Sequence, residues 1–389
     1  MTTSEYEAEH SVADETAPTN PLDGPDDSDD TEQAEPLAIA PDERKLVTQP
    51  YDLGVRSIRE DIRSGRISLN IAYQRKYVWD SGKASRLIES LLLNVPIPVC
   101  YFAEDEEGVY EVIDGLQRLT TIRKFLDDEF ALTGVSVLSE LNGDKFSDLA
   151  PKDQRRLESR TIRCIVITAD SHPDIKFDVF ERLNTGAASL TAQELRNSVY
   201  RGPFNNSLKA LAQESYFTEL LGSFNNKRMG HEELVLRFFA LVNGIASYRP
   251  PLRQLLNQYM RTHRKDPILD EEADRFESVC RTVKDVFGDR PFMAQGSQNP
   301  VNKALFDAVM VSVAYSDHRA LIQNRESARA ALELLSSEER FQLSIGRATA
   351  DRSRVLYRVA ALSERLREAG VPTTLSTNLL EEGLSPRGA

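Results

Sequence analysis

Asp114, Gly115, Gln117 and Arg118 fall within five residues of one another, directly after the apolar run Val112-Ile113. An arginine beside a glycine turn at a helix start can grip phosphate through its planar fork and the local backbone N–H groups. Asp114 is suited to hold Mg²⁺ or to orient a water. Burying such groups without partners costs free energy. A polar ligand such as a nucleotide or phosphate is one natural partner; an Asp–Arg pair that merely locks the turn is the other. Gln117 adds a third polar group to the same turn, and this favours the ligand.

Three further clusters carry chemistry. In Tyr73-Gln74-Arg75-Lys76-Tyr77-Val78-Trp79, Gln74 and Arg75 supply donors for phosphate or base edges, and the aromatic rings can stack on a base. Read locally, the same run is a docking segment with aromatic core anchors. Asn184-Thr185-Gly186, followed by Thr191, Glu194 and Arg196, reads locally as a helix end, a loop and a capping box. Lys152, Arg155, Arg156, Arg160 and Arg163 form a basic run that suits a nucleic-acid backbone or a solvated helix face. The sequence contains no G-x-x-x-x-G-K-[ST] loop, no H-E-x-x-H and no G-x-S-x-G elbow, which disfavours P-loop ATPases, zinc proteases and lipases.

The elements that must position these residues follow from apolar spacing. Val99–Ala103 and Val109–Ile113 read as two strands around a polar loop, and Ile162–Ile167 as a third, sheet-interior strand. Val55, Ile58, Ile62 and Ile67 mark a short helix with Gly65 near its end. Leu69 to Tyr73 reads as an extended segment. Ala84, Leu87, Ile88, Leu91 and Leu92 mark a second helix, capped by Asp80 or Ser81 and stopped by Pro96 and Pro98. Leu119, Ile122, Phe125 and Leu126 place a helix directly after the Asp114 turn. From about Phe204 onward strand signals vanish and helical stripes take over.

The net charge of −13 is uneven along the chain. Residues 1–43 hold 14 acids and no Lys or Arg, leaving 47 acids against 48 bases in the rest. The expected organisation is a disordered acidic tail over 1–43, a mixed α+β domain over 44–203, a helical domain over 204–373 and a frayed end over 374–389. Cys100, Cys164 and Cys280 are far apart in sequence and form no metal-type pair; Cys100 and Cys164 sit in apolar runs and read as buried free thiols, which suits a reducing cytoplasm. No apolar stretch reaches membrane-spanning length, so no membrane partner is expected.

Taken in order, these motifs resemble the N-terminal domain of GmrSD-type restriction enzymes, which has a ParB/sulfiredoxin-like fold and an Asp-Gly-Gln-Gln-Arg hallmark. The resemblance runs through Tyr73-Gln74-Arg75 with Trp79, Leu87-Ile88-Glu89-Ser90, Pro96-Ile97-Pro98, Ile113 to Thr120, Phe180 to Gly186 and Leu190 to Arg196. It implies an α+β, ParB/sulfiredoxin-like domain with a small mixed sheet, followed by an all-helical C-terminal domain. It implies a nucleotide-hydrolysing sensor of an anti-phage restriction system that acts on modified DNA with Mg²⁺ as cofactor. Asp114, Gln117 and Arg118 would handle the phosphates, with Asp114 on the metal. Gln74, Arg75, Gly115, Asn184, Glu194 and Arg196 would line the nucleotide or DNA site. Two departures stand out. Leu116 replaces the first Gln of the hallmark, and no HNH nuclease residues are recognisable, so a partner nuclease is expected to cut. A non-hydrolysing regulatory module, or a scaffold for that nuclease, is the alternative; self-association is open.

Overall fold

The structure is a computed structural model that describes residues 43–69, 77–183, 190–224, 226 and 228–385. The acidic leader up to residue 42 lies outside these residues, as do most of the extended segment expected at Leu69–Tyr73, Gln74, Arg75, Asn184 and the Gly186 cap.

One mixed sheet positions the Asp114 turn. Its strands are β1 (Thr48–Gly54), β2 (Ile67–Ser68), β3 (Cys100–Glu104), β4 (Tyr110–Asp114) and β5 (Thr161–Ile167), in the order β1-β5-β3-β4-β2. β3 runs parallel to β5 and β4 parallel to β2, whereas the β1–β5 and β3–β4 pairs are antiparallel. β5 is interior, as its apolar run requires, with Ile162, Cys164 and Val166 buried on one face. β1 was not legible in the sequence. Thr48-Gln-Pro-Tyr-Asp52 is polar and exposed, contains Pro50, and pairs only with β5 at the sheet edge. Proline is tolerated there because an edge strand need not donate on its outer side.

Four helices cover one face: α1 (Val55–Ser64), α2 (Ser81–Leu93), α3 (Leu116–Leu126) and α4 (Pro151–Glu158). Their apolar stripes bury Val55, Ile58, Leu87, Ile88, Leu119, Ile122, Phe125 and Leu157 against Cys100, Phe102, Val112, Ile162 and Val166. Burial of each large side chain contributes about 1.5–3 kcal/mol. Gly65 ends α1 at φ 81°. The Asp80 carboxylate caps α2 by accepting from Lys83 N–H at 2.7 Å. α2 stops at Asn94, in a left-handed conformation, before Pro96 is reached.

The chain continues as α5 (Pro173–Leu183), α6 (Ala192–Val199), α7 (Pro203–Leu211), α8 (Ser215–Leu221), α9 (Gly230–Gly244), α10 (Leu252–His263) and α11 (Asp270–Phe287). Six more helices follow: α12 (Lys303–Ala314), α13 (His318–Gln323), α14 (Arg325–Ser337), α15 (Glu339–Gly346), α16 (Arg352–Glu368) and α17 (Thr377–Leu384). An α+β region is thus followed by a helical one. Two compact units result, one around residues 43–218 and 226–278, the other around 219–224 and 279–385. The second is built on α12 and α16, between which Asp307 and Arg358 form a fully buried ion pair at 2.7 Å. Arg358 also donates to the carbonyls of Ser344 and Thr349. Among the described residues, no helix is long and apolar enough to cross a membrane.

Candidate functional site

Asp114 is the last residue of β4, and Gly115 turns the chain into α3. Gly115 sits at φ 102°, a left-handed value that glycine adopts without strain. It is also a point of close approach, since a Cβ there would lie 2.5 Å from Cys100 Sγ. As N-cap it brings no side chain to α3. The first backbone N–H groups of a helix have no partner within the helix and carry about half a positive charge between them.

Arg118 does not project from the turn; it folds back. Its Nη2 lies 2.5 Å from Asp114 Oδ2. Its Nη1 donates to the carbonyl of Pro98 and, at 3.3 Å, to that of Val99. The Arg118 side chain is 12% exposed, whereas that of Asp114 is 46% exposed. The carboxylate is therefore the open member of the pair, and the guanidinium staples the strand end to the approach to β3. Gln117 points to a different neighbour, its Oε1 accepting from Val78 N–H at 3.0 Å. One turn on, Thr121 Oγ1 donates to Gln117 O at 2.7 Å and meets the Tyr77 hydroxyl at 2.9 Å. Burial raises the Tyr77 phenol above its ordinary pKa. Leu116, at the divergent hallmark position, packs against the sheet core.

Behind the turn, Cys100 and Cys164 are register partners on β3 and β5, both fully buried. The Cys164 thiol lowers the pKa of Cys100 through a hydrogen bond, and the same contact raises Cys164. Cys100 and Cys164 are buried and form no disulfide, as expected, and Cys280 is buried as well.

Glu194 and Arg196 form a second polar cluster on α6. The Thr191–Glu194 capping box is present, with Thr191 N–H donating to Glu194 Oε2 at 2.6 Å and Arg228 pairing with the same oxygen at 3.3 Å. Arg196 is 2% exposed and donates to Asn257 Oδ1 at 2.9 Å and Gln193 Oε1 at 3.1 Å. α6 meets the sheet where Ser198 Oγ donates to Glu111 Oε2 at 2.8 Å. Alternation along β4 puts Glu111 on the face opposite Val112 and Asp114. The structure thus gathers Asp114, Gly115, Gln117 and Arg118 at one turn and anchors Glu194 and Arg196 in the helical layer behind the sheet. Of the basic run, Arg160 donates to the carbonyls of Leu91 and Leu92, and Arg163 pairs with Asp52 at 2.6 Å. Lys152, Arg155 and Arg156 stand exposed on α4.

Sequence reasoning missed the carbonyls of Pro98 and Val99 as the acceptors of Arg118, and Cys100 as the wall behind Gly115. The Pro96-Ile97-Pro98 run was the available signal, because prolines fix an extended path whose carbonyls stay free to accept. Among the described residues, no three of His, Cys, Asp and Glu gather as a metal-binding group. Asp114 alone suits Mg²⁺ in the manner of nucleotide sites, where one or two carboxylates act together with water and substrate phosphates.

Residues 55–201 match the family model of the GmrSD restriction endonuclease, N-terminal domain, a stretch that contains the whole Asp114 turn. No curated protein matches the chain.

Proposed function

We propose, from the premise that residues 55–201 are a GmrSD-type restriction-system N-terminal domain, that the Asp114–Arg118 turn binds and hydrolyses a nucleoside triphosphate in response to DNA. The observation that carries this reading is the α3 N-terminus, which has a glycine for its cap and a half-exposed carboxylate beside it. Backbone N–H groups and the helix dipole receive phosphate oxygens. Arg118 holds Asp114 in place and supplies positive charge behind it. Asp114 would hold Mg²⁺, which when bound would offset the charge of the phosphates. Gln117, kept in position by Val78, orients a water for attack in line with the leaving oxygen. Modified DNA is the signal, and cleavage belongs to a nuclease outside these 389 residues.

The test is phosphate release from ATP and GTP by the full chain, with and without DNA. Asp114→Asn is expected to lower release by roughly 10²-fold or more, the usual weight of a positioned acid–base or metal-holding group. Unchanged release in Asp114→Asn would overturn the assignment. One observation favours a second reading, in which the turn binds nucleotide as a switch without hydrolysing it. Arg118 is already bonded to Asp114, Pro98 and Val99, and so reaches a transferred phosphoryl only by letting go of them. Nucleotide binding without phosphate release would select that reading.

A further inference from the structure

We propose that Val78 and Trp79 form the wall that receives the base of the nucleotide. This rests on the reading of the Asp114 turn as a phosphate site and extends it to the other end of the ligand. Two hydrogen bonds lay this segment along α3: Val78 N–H to Gln117 Oε1 at 3.0 Å, and the Tyr77 hydroxyl to Thr121 Oγ1 at 2.9 Å. From the same turn, Arg118 fixes a second segment at Pro98 and Val99. Both segments present apolar side chains to solvent. Val78 is 67% exposed and Val95 48%, and Pro96 and Pro98 are exposed as well. Single exposed apolar residues are ordinary. Here they sit on the two segments that are hydrogen-bonded to the residues of one turn.

Trp79 is half-buried, with part of its surface against the core, and Lys83 Nζ lies 5.0 Å from its ring centroid. Tyr77 is engaged otherwise, bonded to Thr121 and covered by Lys124 Nζ at 4.3 Å from its ring centroid. An indole, an exposed aliphatic neighbour and a nearby ammonium suit a planar base carried on a polyanion. Stacking of this kind takes any base, because every base has a π-face. The four common nucleoside triphosphates are therefore expected to bind within about tenfold of one another, the larger purines more tightly.

The experiment is calorimetric titration of the full chain with ATP and, separately, with inorganic tripolyphosphate, for the parent, Val78→Ser and Trp79→Leu. Trp79→Leu is expected to weaken ATP by about tenfold, the loss that removal of a stacking contact produces, and Val78→Ser by a smaller factor, while both leave tripolyphosphate unchanged. Trp79 is the only tryptophan, so its fluorescence in the parent should respond to ATP and not to tripolyphosphate. Val78 is exposed, so Val78→Ser keeps the test decisive if Trp79→Leu fails to fold. ATP affinity equal to the parent's in Val78→Ser, with no Trp79 response to ATP, overturns the wall while the phosphate site stands. A parent that binds neither ligand overturns the phosphate site and the wall with it.

Discussion

Arg118 lies 2.5 Å from Asp114 across the first turn of α3 while its other terminal nitrogen donates to the carbonyls of Pro98 and Val99. One side chain thus joins the end of β4 to the approach to β3. Its contribution to stability and its contribution to chemistry have to be measured apart.

Arg118→Ala strands two carbonyls at the edge of the core, and loss of such partners costs about 1–3 kcal/mol. We expect the variant to fold with its unfolding free energy, read from urea denaturation, lowered by that amount. Arg118→Lys, which keeps the charge without the fork, should recover part of it. A midpoint equal to the parent's in Arg118→Ala would mean that the staple contributes nothing.

Gly115→Ala meets two obstacles, a left-handed φ of 102° and a Cβ 2.5 Å from Cys100 Sγ. The strain of the first is of the order of 1–3 kcal/mol. The second is relieved if the sulfur is removed. Gly115→Ala with Cys100→Ala should therefore destabilise by less than the two single effects added, which a denaturation double-mutant cycle reads directly.

In the helical unit, removing one partner of the fully buried Asp307–Arg358 pair leaves an uncompensated charge. Asp307→Ala should destabilise by about 3–5 kcal/mol. Replacing both residues with apolar ones of similar volume should cost much less. Thermal denaturation of the two variants separates these outcomes.

Asp127 gives the acid limb of the stability curve a definite sign. Burial pushes its carboxyl up, but the hydrogen bond and charge of Arg59, with Arg63 and Arg123, outweigh burial and leave its pKa below the ordinary value. A depressed carboxylate contributes stability that is present above its unfolded pKa of about 3.9 and lost as pH falls through the folded value. Asp127→Asn should lower stability at pH 7 and flatten the decline below about pH 4. Parallel curves for parent and variant across that range would contradict this.

The sequence was most legible where burial dictates residue type. β5 reads as interior because its run Ile162–Ile167 is almost unbroken in apolar residues, and α2 and α3 read as helices because only one side of each is apolar. β1 was illegible for the opposite reason: an exposed edge strand takes its conformation from its partner, not from its own side chains. That Asp114, Gly115, Gln117 and Arg118 share one strand-to-helix turn was legible from type and spacing alone. The direction of Arg118 was not, because its acceptors at Pro98 and Val99 are backbone atoms, which any residue supplies. Glu194 and Arg196 look alike in one dimension whether they face a ligand or a neighbouring helix, and their partners Arg228 and Asn257 lie 34 and 61 residues further along.

The β1–β5 ladder joins Thr48 to Ile167 and Gly54 to Thr161. During synthesis the earliest strand of the sheet therefore waits for the latest, with α1 to α4 and three other strands emerging in between. Closing so long a loop is slow relative to local helix formation. Until the ribosome has released residue 167, the nascent domain exposes an unpaired β5-facing edge, so its window for misassociation closes only when that last strand docks.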